Sequence, residues 1–260
     1  MTALLAGLLE LVELDEQMRA DHCFLGDADR CLCLADYLPG RGTAANRVNQ
    51  LIANLKCPPL IATTDPRRRR YKQQAIGEVA RALRAAVSQS WVERATWVPI
   101  PTSRPPPDAD YDDRLQRVLR QAFGDYALDL RALLYQSQPT AADHASARRS
   151  SFAALYGLIG LDRQLLARAP LRDRIVLFDD VLTTGKHYKC CEHRLRETLD
   201  LIPISGVFVA RRNLAGHRRC GPPPAHAGTT RVLSVPSRPI SSAIPAAMMP
   251  VAPANTKAST

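Results

Sequence analysis

"RIVLFDDVLTTGKHYK", residues 174–189, is the stretch on which the reading of this chain turns. Four apolar residues, Ile175 to Phe178, run into Asp179 and Asp180, then through Val181 into a Leu-Thr-Thr-Gly turn and a polar segment with helical spacing. An apolar run without alternation predicts a strand covered on both faces, as in a parallel sheet. Ligands of open parallel sheets sit beyond the carboxyl ends of the strands, which is where the two aspartates stand. The turn after them enters a helix expected to begin near Lys186. A helix N-terminus presents unpaired N–H groups and the positive end of a dipole, so it favours an anion. Thr183 and Thr184 add hydroxyl donors, and Gly185 lets the backbone come close to a ligand. The carboxylates would repel a bare phosphate, so they are expected to face vicinal hydroxyls or a bridging Mg2+. The competing reading is a solvated acidic turn after a core strand.

Two other phosphate motifs fail. A Walker A loop ending at Gly185-Lys186 needs Gly five residues earlier and Ser or Thr next, where the chain has Asp180 and His187. No GxGxxG fingerprint is present. A second loop with phosphate-binding chemistry follows "ATWVPIP": a strand over 95–100, then Pro101, Thr102, Ser103 and Arg104. Arg supplies forked donors to phosphate oxygens, and Ser and Thr supply hydroxyls. A proline-rich connector with an exposed Arg is the alternative.

Taken together, a hydrophobic strand, Asp-Asp, two apolar residues and Thr-Thr-Gly closely resemble the phosphoribosyl pyrophosphate motif of type I phosphoribosyltransferases. "VPIPTSR" and "NQLIANLK" resemble segments of the competence-associated, ComF-like branch of that family. The resemblance implies that Asp179 and Asp180 are the catalytic acids, binding the ribose hydroxyls and, directly or indirectly, Mg2+. It implies that Val181, Leu182, Thr183, Thr184 and Gly185 wrap the 5′-phosphate, and that Thr102, Ser103 and Arg104 take the pyrophosphate. The activity implied is transfer of a phosphoribosyl group to an unidentified acceptor with release of pyrophosphate. The alternative is a non-catalytic sensor of phosphoribosyl pyrophosphate, or a DNA-uptake or DNA-processing accessory protein. Dimers are usual for the family, so the resemblance admits a homodimer, while the sequence itself leaves the oligomeric state open. The chain departs from the pattern at Lys186-His187, where a small residue and then Thr or Ser are usual. It also lacks the branch's Arg-Gly-Phe-Asn segment, for which Arg114 or Arg117 are the substitutes. In the segment 135–157, expected to close over the site, Arg148 or Arg149 would reach the pyrophosphate.

Around these loops, strands alternate with helical patterns. Val48, Leu51, Ile52 and Leu55 repeat at helical spacing, as do Ile76, Val79, Ala80 and Leu83, and "DRLQRVLRQAFG", "SSFAALYGLIG" and "KHYKCCEHRLRETLD" also read as helix. "CPPLIATTDPRRRR" is expected to break the pattern, and "YALDLRALLY" fits strand or helix. The fold class is α/β: an open, mostly parallel sheet with flanking helices over 45–212. Residues 1–44 are expected to form an N-terminal helix followed by a Cys-containing segment. Residues 213–260, with eight prolines, are expected to form a disordered tail.

The net charge of +10 localises to that end. From Arg211 onward there are seven basic residues and no acidic one, leaving 28 basic against 25 acidic before it. The tail is therefore the candidate nucleic-acid contact, with "RRRR" at 67–70 a second one. Lys56 and Lys72 are candidates for the mouth of the site, against a solvated-face reading. The N-terminus lacks a positive n-region and carries Glu10, Glu13, Asp15 and Glu16, and no stretch approaches the roughly 18 apolar residues of a membrane span. Seven cysteines, an odd number, suit reduced thiols in a cytoplasm. His22, Cys23, Cys31 and Cys33 are four candidate zinc ligands, against packed thiols in a turn. Cys190 and Cys191 read as packing residues on their helix.

Overall fold

The apolar run of residues 175–178 lies at the centre of a six-stranded sheet. The computed structural model describes residues 11–40, 46–106, 108–139, 151–199 and 201–214. All of them belong to one unit, 1–223, and residues 224–260 lie outside the description. In chain order the described elements are β1 (Val12–Glu13), α1 (Glu16–Arg19), β2 (Arg30–Tyr37), α2 (Arg47–Leu55), α3 (Pro59–Thr64) and α4 (Pro66–Ala86). Then come α5 (Gln89–Glu93), β3 (Ala95–Pro99), α6 (Arg114–Phe123), β4 (Asp129–Leu130) and β5 (Leu134–Gln136). The last are α7 (Phe152–Leu158), β6 (Ile159–Leu161), α8 (Arg163–Ala167), β7 (Arg174–Leu182), α9 (Lys186–Arg196) and β8 (Ile204–Arg212).

The strand order is β1-β2-β8-β7-β3-β4, parallel except for β1, which adds antiparallel to β2 at one edge. β5 and β6 make a separate antiparallel pair. Successive residues of a strand point to opposite faces, and both faces of this sheet are covered. Val176, Phe178, Trp97 and Val207 pack with Leu51, Val79, Leu83, Val118 and Leu119, from α2, α4 and α6. Ile175, Leu177, Val98 and Phe208 pack with Tyr188, Cys190, Cys191 and Leu195 of α9 on the other face. Trp97, fully buried, anchors the first layer, with ring centroids 5.4 Å from Trp91 and 5.3 Å from Phe123. Such aromatic pairs contribute about 0.5–1.5 kcal/mol beyond their burial.

The structure departs from the sequence reading in three places. Within the described part of the expected N-terminal helix, only Glu16–Arg19 is helical. The Cys-containing segment is β2, paired with β8 from Arg30 to Tyr37. Alternating Cys31 and Cys33 are buried on one face, so residues 11–40 are part of the sheet rather than an extension ahead of residue 45. The prolines of "CPPLIATTDPRRRR" start helices instead of breaking them: Pro59 and Pro66 sit in the first turns of α3 and α4, where a missing N–H costs nothing. Asp65 caps α4 by accepting from Arg67 N and Arg68 N, so Arg67–Arg70 lie inside the helix, all exposed. "YALDLRALLY" resolves into the short strands β4 and β5. Apart from Asn213 and Leu214, the expected tail lies outside the described residues. No described helix is long and apolar enough to cross a membrane.

Candidate functional site

The topology itself selects a place. From β3 the chain passes through α6, packed on one face, to β4 on the outer side. From β7 it passes through α9, packed on the other face, to β8 on the opposite side. Connections that diverge in this way open a crevice beyond the carboxyl ends of the two strands. Ile100 N still donates to Phe178 O (2.9 Å), the last rung before β3 leaves and β7 runs on alone against β8 as far as Leu182.

At that end, Thr183-Thr184-Gly185 forms the entry to α9, an 11-residue helix with no side-chain cap. Gly185 adopts the left-handed region (φ 81°), and a Cβ there would come within 2.8 Å of the Leu25 side chain. Gly is the residue that tolerates both conditions. The carbonyls of this loop are held from outside by the turn over residues 22–25: His22 Nδ1 donates to Thr183 O (2.5 Å) and Phe24 N donates to Thr184 O (3.0 Å). His22 is fully buried, and burial lowers its pKa to about 4, so the ring is neutral and donates from Nδ1. With the carbonyls engaged on one side, the amides of Thr183, Thr184 and Gly185 make no hydrogen bond among the described residues. Thr183 is exposed, Thr184 half-buried. Val181 and Leu182, expected in the same wrap, are buried core residues of β7.

The two aspartates part company on the strand. Asp180, 2% exposed, turns toward the layer of α2, α4 and α6. There Arg114 donates to its Oδ2 through Nε (3.0 Å) and Nη2 (2.5 Å), and Lys56 Nζ sits 2.8 Å from its Oδ1. Arg114 also donates from Nη1 to Asp112 Oδ2 (3.0 Å), which is shared with Lys72 Nζ (2.6 Å). Lys72 is buried and further held by Leu55 O and Cys57 O, so it is a structural tie, whereas the Lys56 side chain is 43% exposed and reaches the mouth. Between two cations, Asp180 is held well below the usual carboxylate range. Asp179 points the other way. Its Oδ1 accepts from Asp180 N (2.8 Å), and it forms no ion pair among the described residues. Burial and the neighbouring Asp180 charge push its carboxyl up, to about 7. The sequence pattern contained both acids but nothing of the cations 124 and 66 residues away that separate their roles.

The loop after β3 is engaged with itself. Thr102 Oγ1 donates to Arg104 O (3.3 Å), Arg104 pairs with Asp108 (3.3 Å), and Ser103 is solvent-exposed. Of the two proposed arginine substitutes, Arg114 reaches Asp180 and Arg117 does not. Lys186 is buried and His187 half-buried, each engaged with the fold. Arg148, Arg149 and the basic residues beyond Leu214 lie outside the described residues. Cys31, Cys33, Cys190 and Cys191 are buried free thiols, and burial raises their pKa values. Among the described residues no group of three or more His, Cys, Asp or Glu is placed to hold a metal, and His22 is engaged with Thr183 O. The acids do not fit a resident Mg2+ either, because both oxygens of Asp180 are already neutralised by Lys56 and Arg114. Comparison with protein-family models and with curated proteins returns no match to this chain.

Proposed function

We propose that the protein binds 5-phosphoribosyl pyrophosphate, as its Mg2+ complex, at the crevice between β3 and β7, and transfers the phosphoribosyl group to a nitrogen acceptor. The observation that carries this reading is the Thr183-Thr184-Gly185 loop. Its Thr183 and Thr184 carbonyls are taken by His22 and Phe24, and its amides have no partner among the described residues at the N-terminus of α9. The loop begins four positions after Asp179, which forms no ion pair among the described residues. Free amides at a helix N-terminus suit the 5′-phosphate. The Asp179 carboxylate accepts from the sugar hydroxyls. Magnesium enters with the substrate, where it neutralises the pyrophosphate charge. Lys56, exposed and joined to Asp180 by one contact, is the cation free to move to the leaving pyrophosphate. Arg104 contributes only on leaving Asp108, an exposed pair of the kind worth about 0–1 kcal/mol. The C1–O bond breaks with its electron pair going to pyrophosphate, and the lone pair of the acceptor nitrogen forms the C1–N bond as its N–H proton passes to solvent. Catalysis is by positioning and charge, without a covalent enzyme group.

A second reading, binding without transfer, is favoured by one observation: both oxygens of Asp180 are occupied, leaving a single free acid for the sugar. Calorimetric titration with phosphoribosyl pyrophosphate and Mg2+ tests the shared part, and absence of binding removes both readings. Pyrophosphate release on a nucleobase panel then separates them, since saturable binding with no release selects the second.

A further inference from the structure

A stack of aromatic rings runs from α7 to the turn that grips the β7 loop. Phe152 and Tyr156, four residues apart and therefore on one side of α7, stack with centroids 6.0 Å apart and planes 13° from parallel. Phe24, from the gripping turn, extends the stack, its ring 5.9 Å from that of Phe152 and 17° from parallel. The other end is fixed to α9. Arg194 sets its guanidinium 4.2 Å from the Tyr156 centroid and donates from Nη2 to Tyr156 O (3.1 Å). The Tyr156 hydroxyl donates to Glu197, and His193 meets Phe152 edge-on at 5.6 Å.

α7 is seven residues long and none of them is fully buried, so it is held by these ring contacts and by partial burial. Holding it against α9 requires only Phe152, Tyr156, His193 and Arg194. Phe24 is the member that a purely structural stack does not need. It belongs to neither helix, its ring is half-buried, and its own N–H donates to Thr184 O (3.0 Å). One residue thus carries both the contact with α7 and one of the two bonds that hold the loop carbonyls. The ring fixes the backbone from which that N–H is donated, and a residue 24 without its stack is freer to leave Thr184.

We infer that Phe24 and Phe152 are positioning residues for the anion-binding loop, so that α7, which contributes no residue to the loop, sets how firmly Thr183–Gly185 are held for a phosphate. Resting on the phosphoribosyl pyrophosphate reading, the ligand group affected is the 5′-phosphate. Such coupling is reciprocal, so occupancy of the loop steadies α7 in turn.

Phe24→Leu and Phe152→Leu each remove a ring while keeping an apolar side chain. In calorimetry with Mg2+-phosphoribosyl pyrophosphate, each weakens binding by about two- to tenfold, the usual worth of an aromatic pair. The double variant binds no more weakly than the weaker single, because both substitutions break the same contact. Phe152→Tyr, which retains the ring, binds as the unaltered chain does. Hydrogen exchange on the full chain supplies a readout that needs no variant: the bound ligand slows exchange across α7. Unchanged affinity in either leucine variant, losses that add in the double, or α7 exchange indifferent to ligand overturns the proposal. A chain that never binds the phosphoribosyl compound removes the proposed function instead. Exchange of the Phe24 amide without ligand then decides the coupling alone, faster in Phe152→Leu supporting it and unchanged overturning it.

Discussion

The loops after β7 and β3 leave the sheet side by side, yet they are built for different work. The first is gripped from behind: its carbonyls are used by His22 and Phe24, its glycine is pressed against Leu25, and its amides are left over at the start of a long helix. The second satisfies itself through Thr102 and the Arg104–Asp108 pair. The first presents amides with no partner among the described residues, whereas Thr102 and Arg104 of the second are already engaged within their own loop. Strand ends supply a location; what the neighbouring segments do to each loop's carbonyls and charges supplies the chemistry.

The largest effect is expected where the two loops are tied together. Asp180→Ala leaves Arg114 and Lys56 facing each other without their carboxylate, and urea unfolding should show a loss of about 3–5 kcal/mol. Asp180→Asn falls in the same direction, so lost activity in either variant reads on the fold as well as the site. Next, Gly185→Ala places a Cβ 2.8 Å from Leu25 at φ 81°; about 1–2 kcal/mol is lost, with phosphoribosyl pyrophosphate affinity falling by calorimetry. That loss is the sharpest test of what the β7 loop does.

Asp179 offers a pH-dependent version. Its folded pKa lies above the unfolded value near 3.9, so the folded state retains a proton that the unfolded state gives up between about pH 4 and 7. Its contribution to stability therefore declines as pH rises through that window. Asp179→Asn should raise stability by roughly 1–3 kcal/mol at pH 8 and by little at pH 4. In the unaltered protein, phosphoribosyl pyrophosphate affinity should rise as pH increases through about 7, a rise absent from the variant. The smallest effect belongs to Arg104→Ala, which removes an exposed pair and should change stability by less than about 1 kcal/mol.

Much of this was readable in the sequence because it is local. The apolar run of β7, the turn chemistry at Thr183–Gly185 and the helical spacing of α9 need only near neighbours, and they were found where the pattern put them. What escaped is what distance creates. β2 reads as a polar, cysteine-containing stretch until β8 covers it, although the alternation of Cys31 and Cys33 was a usable signal. Pro59 and Pro66 read as breakers because a proline looks the same in the first turn of a helix as between helices. Nothing local to Lys56, Arg114 or His22 marks it as a partner of the 179–185 segment.

The pairing of β2 with β8 has a consequence for how the molecule comes into being. Arg30 lies against Ser205 and Tyr37 against Arg212, so a strand made early in synthesis waits for the last one described. Contacts so far apart in the chain slow folding, and a nascent polypeptide halted before residue 204 carries β2 with no parallel neighbour to receive it. Since the turn that grips the β7 loop hangs from that same strand, ligand-binding competence should emerge at the very end of assembly, all at once.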